Sequence, residues 1–471
     1  MGCISMSSRK SRYFGTRDFY RHTLQIAIPI MIQNGITNFV GMLDNIMVGQ
    51  VGTNEMSGVA IVNQLQFVFN LMIFGGLAGI GIFTAQFAGK GDQEGIRYTV
   101  RMKMWLSTVL TVFAVLVFIF AGRPLVSLWL TGDSGSGDTA ATMKAAMDYM
   151  FVMYFGMLPF AYTQVFASTL RENGETVAPM KAGAAAVLVN LVGNYILIYG
   201  KLGAPALGVA GAAIATVISR FVELFLVARF TFRHEERFPF AHGVFASFYI
   251  PGKLFGNVIV KALPLLLNET LWSLGQTVLS QQYSTLGLNI VAAFNISNTI
   301  SNVFNIAFIA MGDSTAIILG QELGAGRMED AKDDSGKLIV FSSLLCVVSG
   351  TLLFLISGLF PLIYNTSEEV RAIAAGLIRI AAVCMPMYAC ENAMYFTIRS
   401  GGKTWITFFF DSCFVWIFSI PVAFVLTHFT GLTILPVFAL VQSVELIKCI
   451  IGYVLVKRGS WVHDLTSYVS N

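Results

Sequence analysis

An aspartate and a row of amides stand in "NGITNFVGMLDNIMVGQ" (34–50), a stretch that is otherwise apolar. At 100° per residue, Asn34, Asn38, Gly41 and Asn45 fall within about 60° of one another on a helix, with Gln33, Thr37 and Asp44 beside them. Asn and Ser within an apolar run often do no more than join helices. A carboxylate is different, because neutralising it still leaves a buried acid. A charge at the centre of a bilayer costs at least roughly 3 kcal/mol on insertion scales, so such groups line an interior or an aqueous path. Asp44 is therefore read as a cation-holding group, and the plainer alternative is a headgroup neighbour or turn cap at the outer end of its helix. A second stripe, Glu269, Ser273, Gln276 and Ser280, has the same character. Glu391 follows Pro386 by five residues, where a kinked helix can expose backbone to a cavity.

These residue types can hold and exchange a cation, be it a proton, a metal ion or an organic ammonium. They do not make or break covalent bonds. The five histidines are scattered, the glycine-rich pieces lack phosphate-loop spacing, and no nucleophile elbow is present. Neither a catalytic set nor a resident cofactor or metal centre is expected. Among the other charges in apolar runs, Arg220 and Glu223 are three apart and are read as a structural pair on one helix face. Lys261, Arg379 and Lys448 have stems long enough to carry their charge to an interface. Asp411 is read as a helix-start or loop-pairing residue near the cytoplasm, and Asp313 as a weaker candidate.

The elements that must position these groups follow from composition. The 471 residues are 55% hydrophobic and only 12% charged, against about 25% charged in an ordinary soluble chain, and mean hydropathy is +0.70. About twelve runs are long enough to span a bilayer: near 24–48, 57–86, 99–121, 145–169, 178–200, 206–230, 256–283, 287–319, 337–363, 372–398, 405–427 and 431–456. The runs are continuous, which points to helices and not to a barrel. The net charge of +4 is a loop bias, not a nucleic-acid footprint. Arg9, Lys10, Arg12, Arg17 and Arg21 precede the first run, and Arg229, Arg233, Arg237 and Lys253 lie between the sixth and seventh. The alternate loops 49–56 and 284–286 have no Lys or Arg. Positive loops mark the cytoplasmic side, so both termini are expected there, in a plasma membrane. The start "MGCISMSS" lacks the Ser or Thr of a myristoylation signal at Met6, and the first run is read as a retained span. Five of the six cysteines are read as small apolar side chains, with no disulfide framework expected.

The chain repeats itself. Pro29 and Pro264, Gly52 and Gly287, and Asn63 and Asn298 each stand 235 residues apart, as do the two copies of "VFN" (68–70, 303–305). "QFAGKG" (86–91) meets "QELGAG" (321–326) at the same offset. Beyond the third span the offset is 228, where "RENGET" (171–176) meets "RSGGKT" (399–404). The expectation is an all-α integral membrane protein of two six-helix lobes, 23–230 and 256–457. These are flanked by a segment 1–22, a basic linker 231–255 and a tail 458–471. Six is even, so the halves share orientation and a pseudo-twofold axis along the membrane normal. Two like bundles across a cleft suit an alternating-access carrier better than a pore.

"MLDNIMVGQVG" (42–52), "AQFAGKGD" (85–92), "VNLVGNYILIYG" (189–200), "LGVAGAAIATVISR" (207–220), "NETLWSLGQTV" (268–278), "AAFNISNTI" (292–300), "GQELGAG" (320–326) and "RSGGKT" (399–404) resemble the multidrug and toxic compound extrusion (MATE) family. The resemblance covers about residues 20–455. It implies twelve spans in two lobes and efflux of cationic, amphipathic compounds driven by inward Na⁺ or H⁺. Asp44 and Glu269 match acids tied to cation coupling in that family, and Glu391 lies near, though out of register with, a third. The family's span-5 Asn and Asp, four apart, fall on Asn190 and Asn194 here, so one titratable group is missing. Asn34, Asn38, Asn190, Asn194, Ser273 and Gln276 are the expected substrate-side ligands, in a chain expected to act as a monomer. The nearest alternative is a lipid-linked oligosaccharide flippase of the same superfamily. A pore or receptor, without coupled uphill transport, is a further class.

Overall fold

The computed structural model describes residues 13–130, 139–364 and 366–466, with the side chain of Asn45 among the few others left undescribed. Cys3, Met6, Arg9, Lys10 and Arg12 lie outside the described residues. Within them the protein is helical throughout, without a strand. The long helices are α1 (Arg17–Gly49), α2 (Thr53–Lys90), α3 (Gln93–Leu130), α4 (Thr139–Glu172), α5 (Val177–Tyr199) and α6 (Gly208–Arg233). After a short linker come α7 (Gly252–Ser284), α8 (Leu288–Gly324), α9 (Met328–Ile356) and α10 (Glu368–Ser400), then α11 (Thr404–Phe429) and α12 (Ile434–Arg458). All but α1 are apolar and long enough over their described residues to cross a membrane. Large apolar side chains such as Phe113, Phe120, Phe151, Phe155 and Ile450 are exposed along their flanks. Water would not tolerate that belt, whereas acyl chains would. This is a multi-pass membrane protein.

Contacts divide the chain into two compact units. One comprises Ile32–Thr84 and Asp92–Leu266. The other comprises the described residues up to Met31, Ala85–Gly91 and Leu267 onward. The cuts in α1 and α7 fall two residues past Pro29 and Pro264, the prolines inside those helices. Each proline removes a backbone hydrogen bond and permits a bend there. In the first unit α6 packs on α4 and α5; in the second α10 packs on α8, α9 and α12.

Two glycines allow a close crossing inside the second unit. A Cβ on Gly89 would fall inside the backbone of Gln321, and one on Gly324 inside the backbone of Gln86. Gln86 and Gln321, like Gly89 and Gly324, are partners in the 235-residue repeat, so the contact is reciprocal. The "QFAGKG" and "QELGAG" segments are thus the two faces of one crossing. The chain after α12 folds back onto this place. Gln86 Nε2 donates to the carbonyls of Ser400 (3.0 Å) and His463 (3.1 Å), and Gln86 Oε1 accepts from the Leu465 amide at 2.7 Å. Trp461 is fully buried beside Ile26, Ile30, Leu323 and Ile398.

Candidate functional site

In the first unit the carboxylate of Asp44, half-buried on α1, meets two amides of α5. Asn190 and Asn194 lie one turn apart, so both side chains leave the same face. Asn194 Nδ2 donates to Asp44 Oδ1 at 2.5 Å. Asn190 satisfies its surroundings with its amide nitrogen turned to the carboxylate, 2.8 Å from Asp44 Oδ1, and its oxygen toward Thr216 Oγ1 of α6 at 3.1 Å. Both asparagines are buried. The register of α1 against α5 is set one turn further out, where Tyr199 Oη donates to the Met47 carbonyl (3.0 Å) and to Gln50 Oε1 (2.9 Å). Among the described residues no Lys or Arg pairs with Asp44. Its charge is met by neutral donors alone, which are strong when they face an ionised acceptor but supply no positive charge.

Further polar contacts inside this unit join α3 to α4, where the buried Lys103 Nζ donates to Ser168 Oγ at 3.0 Å and to Glu172, and α2 to α4 and α6. Tyr149 Oη donates to Asn63 Oδ1 at 3.3 Å. Arg220 lies in the electrostatic reach of Glu223 on the same helix, and its guanidinium also hydrogen-bonds Gln66 Oε1 at 3.4 Å and lies 5.1 Å over the Phe160 ring. One turn of α6 separates Arg220 from Glu223, and the guanidinium swings across to α2 and α4, where an amide and a π face await it. Of the α1 stripe, Asn34 is half-buried and Asn38 exposed.

The second unit holds a denser network. Asn268 of α7, fully buried, donates to Asp411 Oδ2 (3.0 Å) and Tyr395 Oη (3.2 Å). Its oxygen accepts from the Ser412 amide (3.3 Å) and Ser412 Oγ (2.7 Å). Asp411 and Ser412 lie in a π-helical turn of α11, Phe409–Cys413. Such a turn leaves backbone groups without regular partners, and the Asn268 side chain supplies one. Lys448 Nζ of α12 sits 2.9 Å from Asp411 Oδ1, 3.7 Å from Glu445 Oε2 and 3.9 Å from Glu391 Oε2. Lys448 therefore does not reach for an interface. Its side chain is 9% exposed, because three carboxylates stabilise the charge where it is. Asp411, expected at a helix start, sits seven residues inside α11 and joins α7 to α12.

Glu391 is buried on α10 within this group, and Cys449 Sγ donates to its Oε1 at 3.5 Å. Glu269 adjoins Asn268 and is half-buried, in the electrostatic reach of Arg399, Asp411 and Asp313. Ser273 and Gln276 are half-buried one and two turns further along α7. The structure thus joins Asp44 with Asn190 and Asn194, and Glu391 with Lys448. Reading the sequence missed Asn268, Glu445 and the roles of Asp411 and Lys448. Two signals pointed to them: Glu445 and Lys448 are three apart in one apolar run, and Asn268 is the repeat partner of Gln33.

The chain is 25% identical over 419 residues to a probable multidrug resistance protein NorM of Thermotoga maritima, covering 88% of this chain and 87% of that one. It is 27% identical over 422 residues to the multidrug resistance protein MdtK of Yersinia pestis, covering 88% and 89%. Its fold matches an outward-facing multidrug resistance MATE family transporter of the MOP superfamily with a TM-score of 0.82, at 19% identity and 94% and 96% coverage. It also matches a MOP superfamily transporter from Pyrococcus furiosus with a TM-score of 0.82, at 20% identity and 94% and 96% coverage. At that identity the structural matches show the fold alone. The sequence model of the MatE family matches twice, over residues 29–196 and 264–425, each match beginning at the proline of a repeat and together enclosing Asp44, Glu269, Glu391 and Asp411. The two halves found by internal repetition are two copies of one family unit, and the chain is a member of the MATE family of membrane transporters.

Proposed function

We propose that this protein exports cationic, amphipathic compounds from the cytoplasm in exchange for inward Na⁺ or H⁺. The relatives' names, multidrug resistance proteins NorM and MdtK, support the substrate class. The observation that carries the coupling is Asp44. It is a carboxylate in a membrane helix, held by Asn190 and Asn194 and, among the described residues, by no Lys or Arg. In a poorly hydrated interior one carboxylate favours one positive charge at a time. A coupling ion and a cationic substrate then compete for it, and arrival of the ion releases the cargo. Glu269 serves the second lobe in the same way, with Glu391 as a further acid there. Asn34, Asn38, Ser273 and Gln276 supply neutral contacts along α1 and α7. The chain works as a monomer in the plasma membrane with both termini cytoplasmic.

The test is ethidium efflux from proteoliposomes under an imposed Na⁺ or pH gradient, with Asp44→Asn and Glu269→Gln. Gradient-driven efflux should fall at least tenfold in Asp44→Asn and be reduced in Glu269→Gln. Unchanged efflux in both variants removes the reading.

A further inference from the structure

The linker between the repeats is held on α3 by its backbone. Arg101 of α3, 6% exposed, donates to three linker carbonyls: Nε to Val244 (3.0 Å), Nη1 to Tyr249 (3.1 Å) and Nη2 to Gly243 (2.8 Å). One turn earlier Arg97 reaches the carbonyls of Phe240 and Pro239, both at 3.4 Å, and Gln93 Oε1 accepts from the Phe240 amide at 3.2 Å. Phe238, Phe240, Ala241 and Val244 are buried beneath. With backbone and underside engaged, the linker presents Phe245, Phe248 and Tyr249 outward, all more than half exposed. Apolar rings grouped in this way mark a surface that meets something other than water.

Their depth follows from α3. Gln93, Arg97 and Arg101 are four apart and form one ridge of that helix. The next member of the ridge is Trp105, exposed, with its ring 6.0 Å from that of Phe248. Beyond it Val109, Val112, Phe113 and Leu116 are exposed along the flank that acyl chains cover. The linker therefore ends its cover of α3 where lipid begins. Aromatic side chains gather at that boundary between water and hydrocarbon. Basic groups stand beside them. Arg229, Arg233 and Lys253 are exposed, against the acids Glu235 and Glu236, while Arg237 pairs with Glu175 at 2.8 Å. The Arg229 guanidinium lies 6.0 Å over the ring of Phe225, itself exposed on α6. Rings in the boundary with arginines at its rim are the mark of a segment that lies in the interface of an anionic membrane.

We propose that the linker is an interfacial anchor that binds anionic phospholipid, with Phe245, Phe248 and Trp105 at the acyl boundary and Arg229 and Arg233 over the phosphates. On the sidedness proposed above, this is the cytoplasmic leaflet. The anchor fixes the depth of α3 and α6 in the bilayer, and its strength depends on the lipid around it.

The experiment uses the full-length protein in phosphatidylcholine liposomes doped with spin-labelled phosphatidylglycerol or spin-labelled phosphatidylcholine, and compares the fraction of each label that the protein immobilises. Wild type should favour phosphatidylglycerol by about twofold at low salt and lose most of that preference at high salt. Arg229→Gln with Arg233→Gln should bring the two lipids close to parity. Arg229→Lys with Arg233→Lys should keep the preference, and so should Lys181→Gln, which removes an exposed lysine outside the linker. Equal immobilisation of both lipids by wild type overturns the proposal. So does a preference that survives in the double glutamine variant, or one lost equally in Lys181→Gln. A second measurement reads depth and needs no arginine variant. The emission of Trp105, taken as the difference between wild type and Trp105→Phe, should be quenched more by lipid brominated near the headgroup than by lipid brominated near the chain end. The reverse order, or no quenching by either, overturns the proposal. Neither measurement depends on efflux, so unchanged efflux in Asp44→Asn and Glu269→Gln sinks the export reading alone.

Discussion

Lys448 and Arg220 occupy the same position in the two repeats, yet Lys448 is clamped by three carboxylates while Arg220 leans on an amide and a phenyl ring. Around them the pattern inverts as well. Asp411 lies where the first repeat has Gly183, and the partner of Asn268, Gln33, has its amide nitrogen 3.4 Å from where a Cβ on Gly183 would stand. The same helix framework therefore sets three carboxylates against the cation at this position in one lobe and an amide and a phenyl ring beside it in the other.

Asp411 should be the residue of the second lobe least tolerant of change. Asp411→Asn removes the closest counter-ion of Lys448 and an acceptor of Asn268. Breaking a buried pair from one side costs about 3–5 kcal/mol. The melting temperature in detergent should fall clearly. The double variant Asp411→Leu with Lys448→Met should lose less than the sum of its singles, because the Asp411–Lys448 pair is then removed from both sides.

Asn194→Ala should weaken coupling without unfolding the lobe. The variant removes the shortest donor to Asp44, and a hydrogen bond to a charged group contributes about 1.5–3 kcal/mol. The apparent affinity for the driving ion, read from efflux against ion concentration, should change by about tenfold or more. Asn194→Gln should not restore it, since its extra methylene moves the amide off the carboxylate.

The reciprocal glycine crossing gives a non-additive expectation. Gly89→Ala or Gly324→Ala forces a methyl against the opposing backbone, and overpacking of that kind costs about 1–3 kcal/mol. Once the helices have separated for one methyl, the second meets less resistance. The double variant should therefore melt at a temperature higher than the two singles together imply. Strict additivity would show that the two contacts act independently.

The folded-back segment after α12 should act as a brace. Gln86→Ala strips partners from two carbonyls and one amide, a loss of about 1–3 kcal/mol for a buried group. Trp461→Ala should cost about 3–5 kcal/mol, as for other large core truncations. Limited proteolysis should then cut near residues 459–466 before it cuts elsewhere. A wild-type digestion pattern in both variants would refute the brace.

Several of these features were legible before folding was considered. Twelve apolar runs and the two repeat offsets are properties of the chain read in order, and both appear as helices and as a twofold family match. Asp44 stood out because a carboxylate in an apolar run is expensive wherever the helix turns it. Asn190 and Asn194 emerged through family resemblance and four-residue spacing, which gives two amides one face but not the partner they face.

What the sequence by itself determined is the set of spans, their duplication and the presence of acids where lipid would reject them, because hydropathy and helical period act over neighbouring residues. The tertiary structure decided which charges meet. Lys448 could have stretched to an interface, and Asp411 could have ended a helix. Both are held inside because spans distant in sequence, α7, α10, α11 and α12, bring Asn268, Glu391 and Glu445 to them. A long side chain's charge settles where the surrounding helices lower its energy, and that is a property of their packing.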